Sequence, residues 1–214
     1  MLILSHRGYW KSIKEKNSIL AFEQSLSSNF GLETDLRDNG MRGGGIVISH
    51  DIAHENCLKL EDFFKLYKAY NTNLPLALNI KADGLQIVLK QLLQEYQIFN
   101  YFVFDMSIPD ALIYIDFNFN VFTRQSEYEK NPSFYEKACG VWMDEFHSHW
   151  IDKNTIKYHL QNDKLVCIVS PELHKRSYQK EWQEYKKIDK ELKAGQRLMI
   201  CTDHPGKAKE FFYD

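Results

Sequence analysis

Two carboxylates two residues apart, Glu33 and Asp35 in Glu33-Thr34-Asp35, stand between a histidine and arginine at His6-Arg7-Gly8 and a histidine at His50-Asp51. On an extended segment residues i and i+2 point to the same side, so both carboxylates share a face. Like charges aimed the same way repel unless a cation lies between them. Oxygen donors suit a hard divalent ion, Mg²⁺ or Ca²⁺, with Mn²⁺ as a further candidate. Such an ion neutralises phosphoryl oxygens, and an imidazole on either side can move protons. The set therefore predicts a metal-assisted phosphodiester site.

Further polar residues can be recruited to it, each with a plainer reading beside it. Asn79 and Lys81 fall on one side of a strand-like run, so Lys81 can reach a phosphate or simply pair with Glu33. Arg124 carries a planar fork that suits two phosphoryl oxygens, unless Glu127 or Glu129 engages it first. Glu33 and Asp35 can also serve as ion-pair partners of Arg37, Arg42 or Lys81, and His50 as a helix cap. The spacing of His147 and His149 occurs among metal ligands on strands, but here it reads as a non-ligating loop. Trp142, Phe146 and Trp150 can line a substrate wall, and more commonly such residues pack the core or rim.

These residues sit where apolar runs stop, so the elements must deliver them. Strand patterns cover 2 to 6, 31 to 36, 75 to 81, 101 to 106, 119 to 123, 139 to 144, 165 to 170 and 197 to 202. Helical spacing covers 17 to 29, 59 to 70, 85 to 97, 126 to 138 and 176 to 194. Alternation of this kind predicts a parallel α/β fold. Only ten residues, 36 to 45, separate Asp35 from the run Ile46 to Ser49, fewer than a parallel crossover needs. The run therefore reads as an antiparallel excursion after strand 2, turned by Gly40 and Gly43-Gly44-Gly45, which returns His50 over the end of that strand. Polar groups also end the later runs, at Asp105, Asp144-Glu145, Glu172 and Asp203. A full ring of them favours a small (β/α)8 TIM barrel over an open sheet.

Composition agrees with one compact domain, 1 to 214. The chain has 214 residues, 44% hydrophobic and 26% charged, enough for one substantial core and unlike a disordered chain. A net charge of -2 gives no global attraction to nucleic acid, and the Lys- and Glu-rich stretch from Lys175 to Lys193 reads as a solvated helix. No apolar run is long enough for a membrane span, so stable membrane insertion is not expected. The strand-like start leaves no room for a secretory signal, and Cys57, Cys139, Cys167 and Cys201 have no CxxC spacing. A cytoplasmic protein with reduced cysteines is the expectation.

In order and spacing, HRG, KNSILAF, ETD, VISHD, LNIKAD and ICTDHP resemble the glycerophosphodiester phosphodiesterase family, within the group that includes phosphatidylinositol-type phospholipases. The resemblance runs over almost the whole chain. It implies a TIM barrel, a role in lipid metabolism, acid-base catalysis by His6 and His50, and a divalent cation on Glu33 and Asp35. The family's third acidic ligand falls where this chain has Asn79. The implied reaction is hydrolysis of a small-molecule or glycan-linked phosphodiester to an alcohol and a phosphomonoester; by their own chemistry Arg7, Lys81 and Arg124 are candidates to hold the substrate. Two other readings stand beside it: transesterification to a cyclic phosphate, and a non-catalytic phosphate- or glycan-binding barrel. The substrate's alcohols and the oligomeric state are not specified.

Overall fold

A computed structural model describes residues 1–40 and 44–213; Arg42 and Gly43 lie outside the described residues. The chain divides into two compact units, His6–Val121 and Met1–Ser5 with Phe122–Asp214. Strand β1 (Leu2–His6) ends on the first residue of the former.

The His6–Val121 unit continues with α1 (Ile19–Ser27), β2 (Gly31–Asp38), β3 (Ile46–Ile48), β4 (Leu58–Lys59), α2 (Leu60–Ala69), β5 (Leu76–Ile80), α3 (Gln86–Glu95), β6 (Tyr101–Phe104) and α4 (Ile108–Asp116). β2 pairs in parallel with β5, and β5 with β6. β3 lies antiparallel to the end of β2, with Leu36 opposite Ile48, and the two-residue β4 lies antiparallel to β3. Beyond β6 the ladder continues as a single parallel bridge, Val103 to Val121. Helix α1 starts where Ser18 Oγ accepts a hydrogen bond from Ala21 N at 3.2 Å, satisfying one of the donors a helix start leaves open. Its buried stripe of Ala21, Phe22, Ser25 and Leu26 faces inward, and the Phe22 and Phe63 rings meet at 4.6 Å to join α1 to α2. Complete burial of a side chain like Phe22 contributes about 1.5–3 kcal/mol.

The second unit holds β7 (Phe122–Gln125), β8 (Gly140–Met143), α5 (Lys153–Gln161), β9 (Leu165–Val169), α6 (Gln179–Leu192), β10 (Leu198–Thr202) and α7 (Pro205–Tyr213). These strands form one parallel ladder, β7–β8–β9–β10–β1. Both units are mixed α/β, and eight strands in all enter parallel pairs.

Several expected boundaries move. Residues 126 to 138 form no α-helix; they hold a loop and a 3-10 turn, Tyr135–Lys137, after Phe134 in a left-handed conformation at φ 44°. The sequence Asn131-Pro132 explains this, because proline disfavours helical backbone at the preceding residue and lacks a donor. The strand expected at 119 to 123 begins at Phe122. Helices α4, α5 and α7 occupy segments where no helix was expected. None of the cysteines forms a disulfide, and burial pushes the Cys139 thiol up to about 11. Among the described residues no helix is long and apolar enough to cross a membrane.

Candidate active site

The site is built in the His6–Val121 unit from a turn that only glycine permits. After β1, Arg7 (φ 57°) and Gly8 (φ 86°) are both left-handed. A Cβ on Gly8 would lie 2.7 Å from Ala21 Cβ and 2.9 Å from its backbone carbon, so α1 closes tightly on the turn. Tyr9 N donates to Ala21 O at 2.9 Å, Asn17 N to Arg7 O at 2.9 Å, and Arg7 N to Glu33 O at 3.0 Å. The same Arg7 amide lies 3.1 Å from Glu33 Oε2, which ties the turn to a carboxylate of β2.

Along β2 the alternation places Glu33 and Asp35 on one face, 1% and 0% exposed. Register sets Asp35 beside Asn79 of β5. Arg7 Nε lies 2.8 Å from Asp35 Oδ2, a charge contact without hydrogen-bond alignment, and His6 Nε2 lies 3.8 Å from Glu33 Oε2. Lys81 Nζ bridges Asp35 Oδ1 at 3.7 Å and Asp105 Oδ2 at 3.5 Å. Asn79 Nδ2 donates to Glu33 Oε1 at 3.4 Å.

Asn17 fixes the arrangement. Itself left-handed at φ 59°, it donates from Nδ2 to Asp35 Oδ2 at 2.9 Å and accepts from Thr34 Oγ1 at 2.9 Å. Sequence reasoning included Asn17 in a motif but gave it no role. Its signal is its residue type, because Asn tolerates left-handed backbone and carries both a donor and an acceptor.

Burial first, and then the Asp35 carboxylate, push Glu33 up to about 8. Asp35 Oδ1 and Asn79 Oδ1 are buried without a hydrogen-bond partner, and such orphaned acceptors are costly. A buried pair of carboxylate donors with an unsatisfied amide oxygen beside it fits a hard divalent cation.

His50 follows β3, positioned by Ser49 N donating to Asp35 O at 3.0 Å and by Arg37 Nη2 donating to His50 O at 3.3 Å. Its Nδ1 is 2.9 Å from Asp51 Oδ1, and that hydrogen bond holds Asp51 below the ordinary carboxylate range. His50 and Arg7 line the same groove. The structure thus joins His6, Arg7, Glu33, Asp35, Asn79 and Lys81 in one contact network, with His50 on the adjoining groove. Arg124 belongs to the other unit, where Glu129 engages its Nε.

The polar strand ends of that other unit are taken up locally. Asp144 Oδ1 lies 2.9 Å from His174 Nε2, and Glu172 holds Thr202 Oγ1, Ser170 Oγ and Asp203 N. Glu145, His149 and Glu181 bring ligand atoms within 4.8 Å of one another, a spacing that could hold a metal. Arg176 already supplies a cation there, 3.3 Å from Glu145 Oε2 and 2.8 Å from Glu181 Oε1. Glu145 also accepts from the Trp150 and Ile151 amides, each at 2.8 Å, so it organises the loop that follows β8. Trp150 Nε1 donates to Asp144 O at 2.8 Å, and Trp142 is buried at 5% exposure, so these aromatics pack the unit.

No protein-family model and no curated protein matches the sequence. Solved structures do match. A chain from Galdieria sulphuraria, provisionally assigned as a glycerophosphodiester phosphodiesterase, superposes with a TM-score of 0.79 at 19% identity, over 100% of this chain and 98% of its own. The chain has the glycerophosphodiester phosphodiesterase fold. The glycerophosphodiester phosphodiesterase from Agrobacterium tumefaciens superposes with a TM-score of 0.71 at 12% identity, over 100% of both chains. A phosphodiesterase from Oleispira antarctica, solved with the product sn-glycerol-3-phosphate, gives 0.71 at 12% identity, over 100% of this chain and 97% of its own. At such identities the likeness to glycerophosphodiester phosphodiesterases speaks for the fold, and the chemistry rests on the cluster itself.

Proposed function

We propose that the chain hydrolyses a phosphodiester with the help of a divalent cation, using the Glu33, Asp35 and Asn79 cluster. The observation that carries this reading is the pair of buried oxygens without a hydrogen-bond partner, Asp35 Oδ1 and Asn79 Oδ1, beside Glu33, a carboxyl group whose pKa burial raises. Those three residues would hold Mg²⁺ or Ca²⁺, which when bound supplies charge neutralisation at the phosphoryl oxygens. Arg7 stands against Asp35, and Lys81 against Asp35 and Asp105. A neutral Asn79 in place of an acid leaves the loaded site one negative charge poorer, which favours a diester anion.

His6 takes a proton from the attacking water as its oxygen bonds to phosphorus. The bond from phosphorus to the leaving oxygen breaks, and His50 gives that oxygen a proton, yielding an alcohol and a phosphomonoester. Asp51 Oδ1 at Nδ1 orients the His50 ring. The phosphomonoester in the Oleispira antarctica structure favours hydrolysis over cyclisation. On the same likeness, the eight parallel-paired strands belong to one (β/α)8 barrel domain, 1 to 214, with β3 as its excursion.

The test is a phosphodiester panel assayed after metal removal and again with Mg²⁺, Ca²⁺ or Mn²⁺ restored. Restored turnover is expected, and His6→Ala and His50→Ala should each lower the rate about 10²- to 10⁴-fold. Losses below threefold in both variants would refute the assignment. In ¹⁸O-labelled water the phosphomonoester should carry solvent oxygen from the first turnover, without a cyclic phosphate intermediate.

A further inference from the structure

We propose that the groove beside His50 takes an aliphatic chain carried by the leaving half of the diester, with Ile13 and Ile52 as the residues that select it. The inference rests on the function proposed above and narrows its substrate class. The groove has a volume of about 630 Å³, and Ile13, Ile19, Ile48, Ile52 and Leu58 line it together with His50. Because His50 protonates the leaving oxygen, a chain attached to that oxygen enters this groove.

The apolar lining comes from separate pieces of local structure. Ile48 ends β3 and Leu58 opens β4, and antiparallel pairing sets the two opposite each other, on one face. Ile48 is buried and Leu58 half-buried, so the pair forms the floor. Ile13 and Ile52 form the rim. At 76% and 84% they are the two most exposed large apolar side chains among the described residues, and both stand on this one groove. Exposed hydrophobes scattered singly are ordinary, but two from separate loops at the rim of the candidate site mark an apolar contact. Both loops are tied in place. Ile13 opens the 3-10 turn Ile13–Glu15, which buries none of its residues, and Glu15 accepts from Lys11 N at 2.8 Å and Ser12 Oγ at 3.3 Å. Asn17 N donates to Arg7 O at 2.9 Å and Trp10 Nε1 to His6 O at 3.0 Å, which fastens the segment to the end of β1. Ile52 follows Asp51, whose carbonyl accepts from Ser49 Oγ at 2.9 Å, and Cys57 N donates to His54 O at 3.1 Å farther along the same loop. Neither isoleucine reaches the core, and a ligand's methylenes laid between them would remove both surfaces from water.

The experiment uses glycerophosphodiesters whose second alcohol is methanol, butanol or octanol, each below its micelle concentration and with Mg²⁺ present. kcat/KM should rise about two- to fourfold per methylene until the groove is filled, since a fully buried methylene is worth about fourfold in affinity. The octyl diester should exceed the methyl diester at least tenfold, mainly through KM, and added salt should not lower that ratio, because no charge carries it. Octanol with glycerol phosphate is the expected product pair; glycerol with octyl phosphate would overturn the assignment to the leaving half. In Ile13→Ser/Ile52→Ser the octyl-to-methyl ratio should fall at least fivefold, and in Ile13→Leu/Ile52→Leu it should persist. Ile87→Ser, at a 61% exposed position of α3 outside the groove, should also keep it. Co-sedimentation with phosphatidylcholine vesicles separates a substrate chain from a bilayer. Vesicle binding that the double serine variant loses, without a chain-length preference among the dissolved diesters, would overturn the inference in favour of a membrane contact. Equal kcat/KM for the three diesters, or a preference that survives both serines, would also overturn it while sparing the proposed hydrolysis. Failure to cleave any of them with metal present, alongside failure of the wider panel, would overturn both.

Discussion

At the scale of single residues, Glu33 and Gly8 carry the most consequence. Glu33 is protonated more readily in the folded chain, with a pKa of about 8 against an ordinary value of 4.5. Between those values the metal-free native state holds a proton that the unfolded chain has lost, so its contribution to stability is full below about 4.5 and declines as pH rises towards 8. The slope is at most about 1.4 kcal/mol per pH unit. Unfolding measured in a chelator across pH 5 to 8 should show this decline, and Glu33→Gln, which cannot ionise, should flatten it. Gly8→Ala should destabilise by about 1–3 kcal/mol, since φ 86° and contact with Ala21 both resist a side chain. Because Arg7 and Glu33 are anchored on that turn, turnover should fall as well; urea denaturation and a diester assay on the same sample read both effects.

At the scale of elements, capping and packing set what forms. Helix α5 begins where Asp152 accepts from Thr155 N at 2.8 Å, and α4 where Ser107 accepts from Asp110 N at 3.4 Å with proline in the first turn. Both starts were legible in residue type. Each helix has only nine residues, and α4 exposes Ile108, Leu112 and Ile113, which blurs its apolar stripe. α5 docks through His159, whose Nδ1 lies 2.9 Å from Tyr135 Oη and Nε2 2.8 Å from Gln125 Oε1. A neutral ring satisfies both contacts, and burial lowers the pKa to about 4. Stability from this group is present above pH 6.5 and is lost as pH falls towards 4, because the unfolded histidine binds the proton first. Acid titration of the fold by circular dichroism should show that loss, reduced in His159→Gln.

For the whole molecule, a ligand that binds only the native state raises stability by mass action. At a hundredfold excess over Kd, Mg²⁺ should add about 2.7 kcal/mol. Differential scanning calorimetry should detect the rise in Tm for the parent, and Asp35→Ala should lose most of it. Asn79→Glu, which restores a charged oxygen donor, should tighten the metal and lower the Mg²⁺ concentration needed for the same shift.

Some of this was fixed by sequence alone, because it depends on periodicity and local chemistry. An extended segment must put Glu33 and Asp35 on one face, and the ten residues from 36 to 45 are too few for a parallel crossover. β1 runs over the expected residues 2 to 6, and the other strand cores fall close to their apolar runs. Tertiary structure decided the partners. That Lys81 engages Asp35 and Asp105, that Asn17 clamps Asp35, and that Arg124 is held by Glu129 depend on strand register and on which turn meets which helix. The contacts from Asn17 to Asp35 and from Lys81 to Asp35 link residues far apart in sequence, whose distances only packing sets. Hydrophobic spacing encodes which face is buried, whereas the pairing of charged groups on that face is settled when buried acids must find the nearest cation or remain unsatisfied.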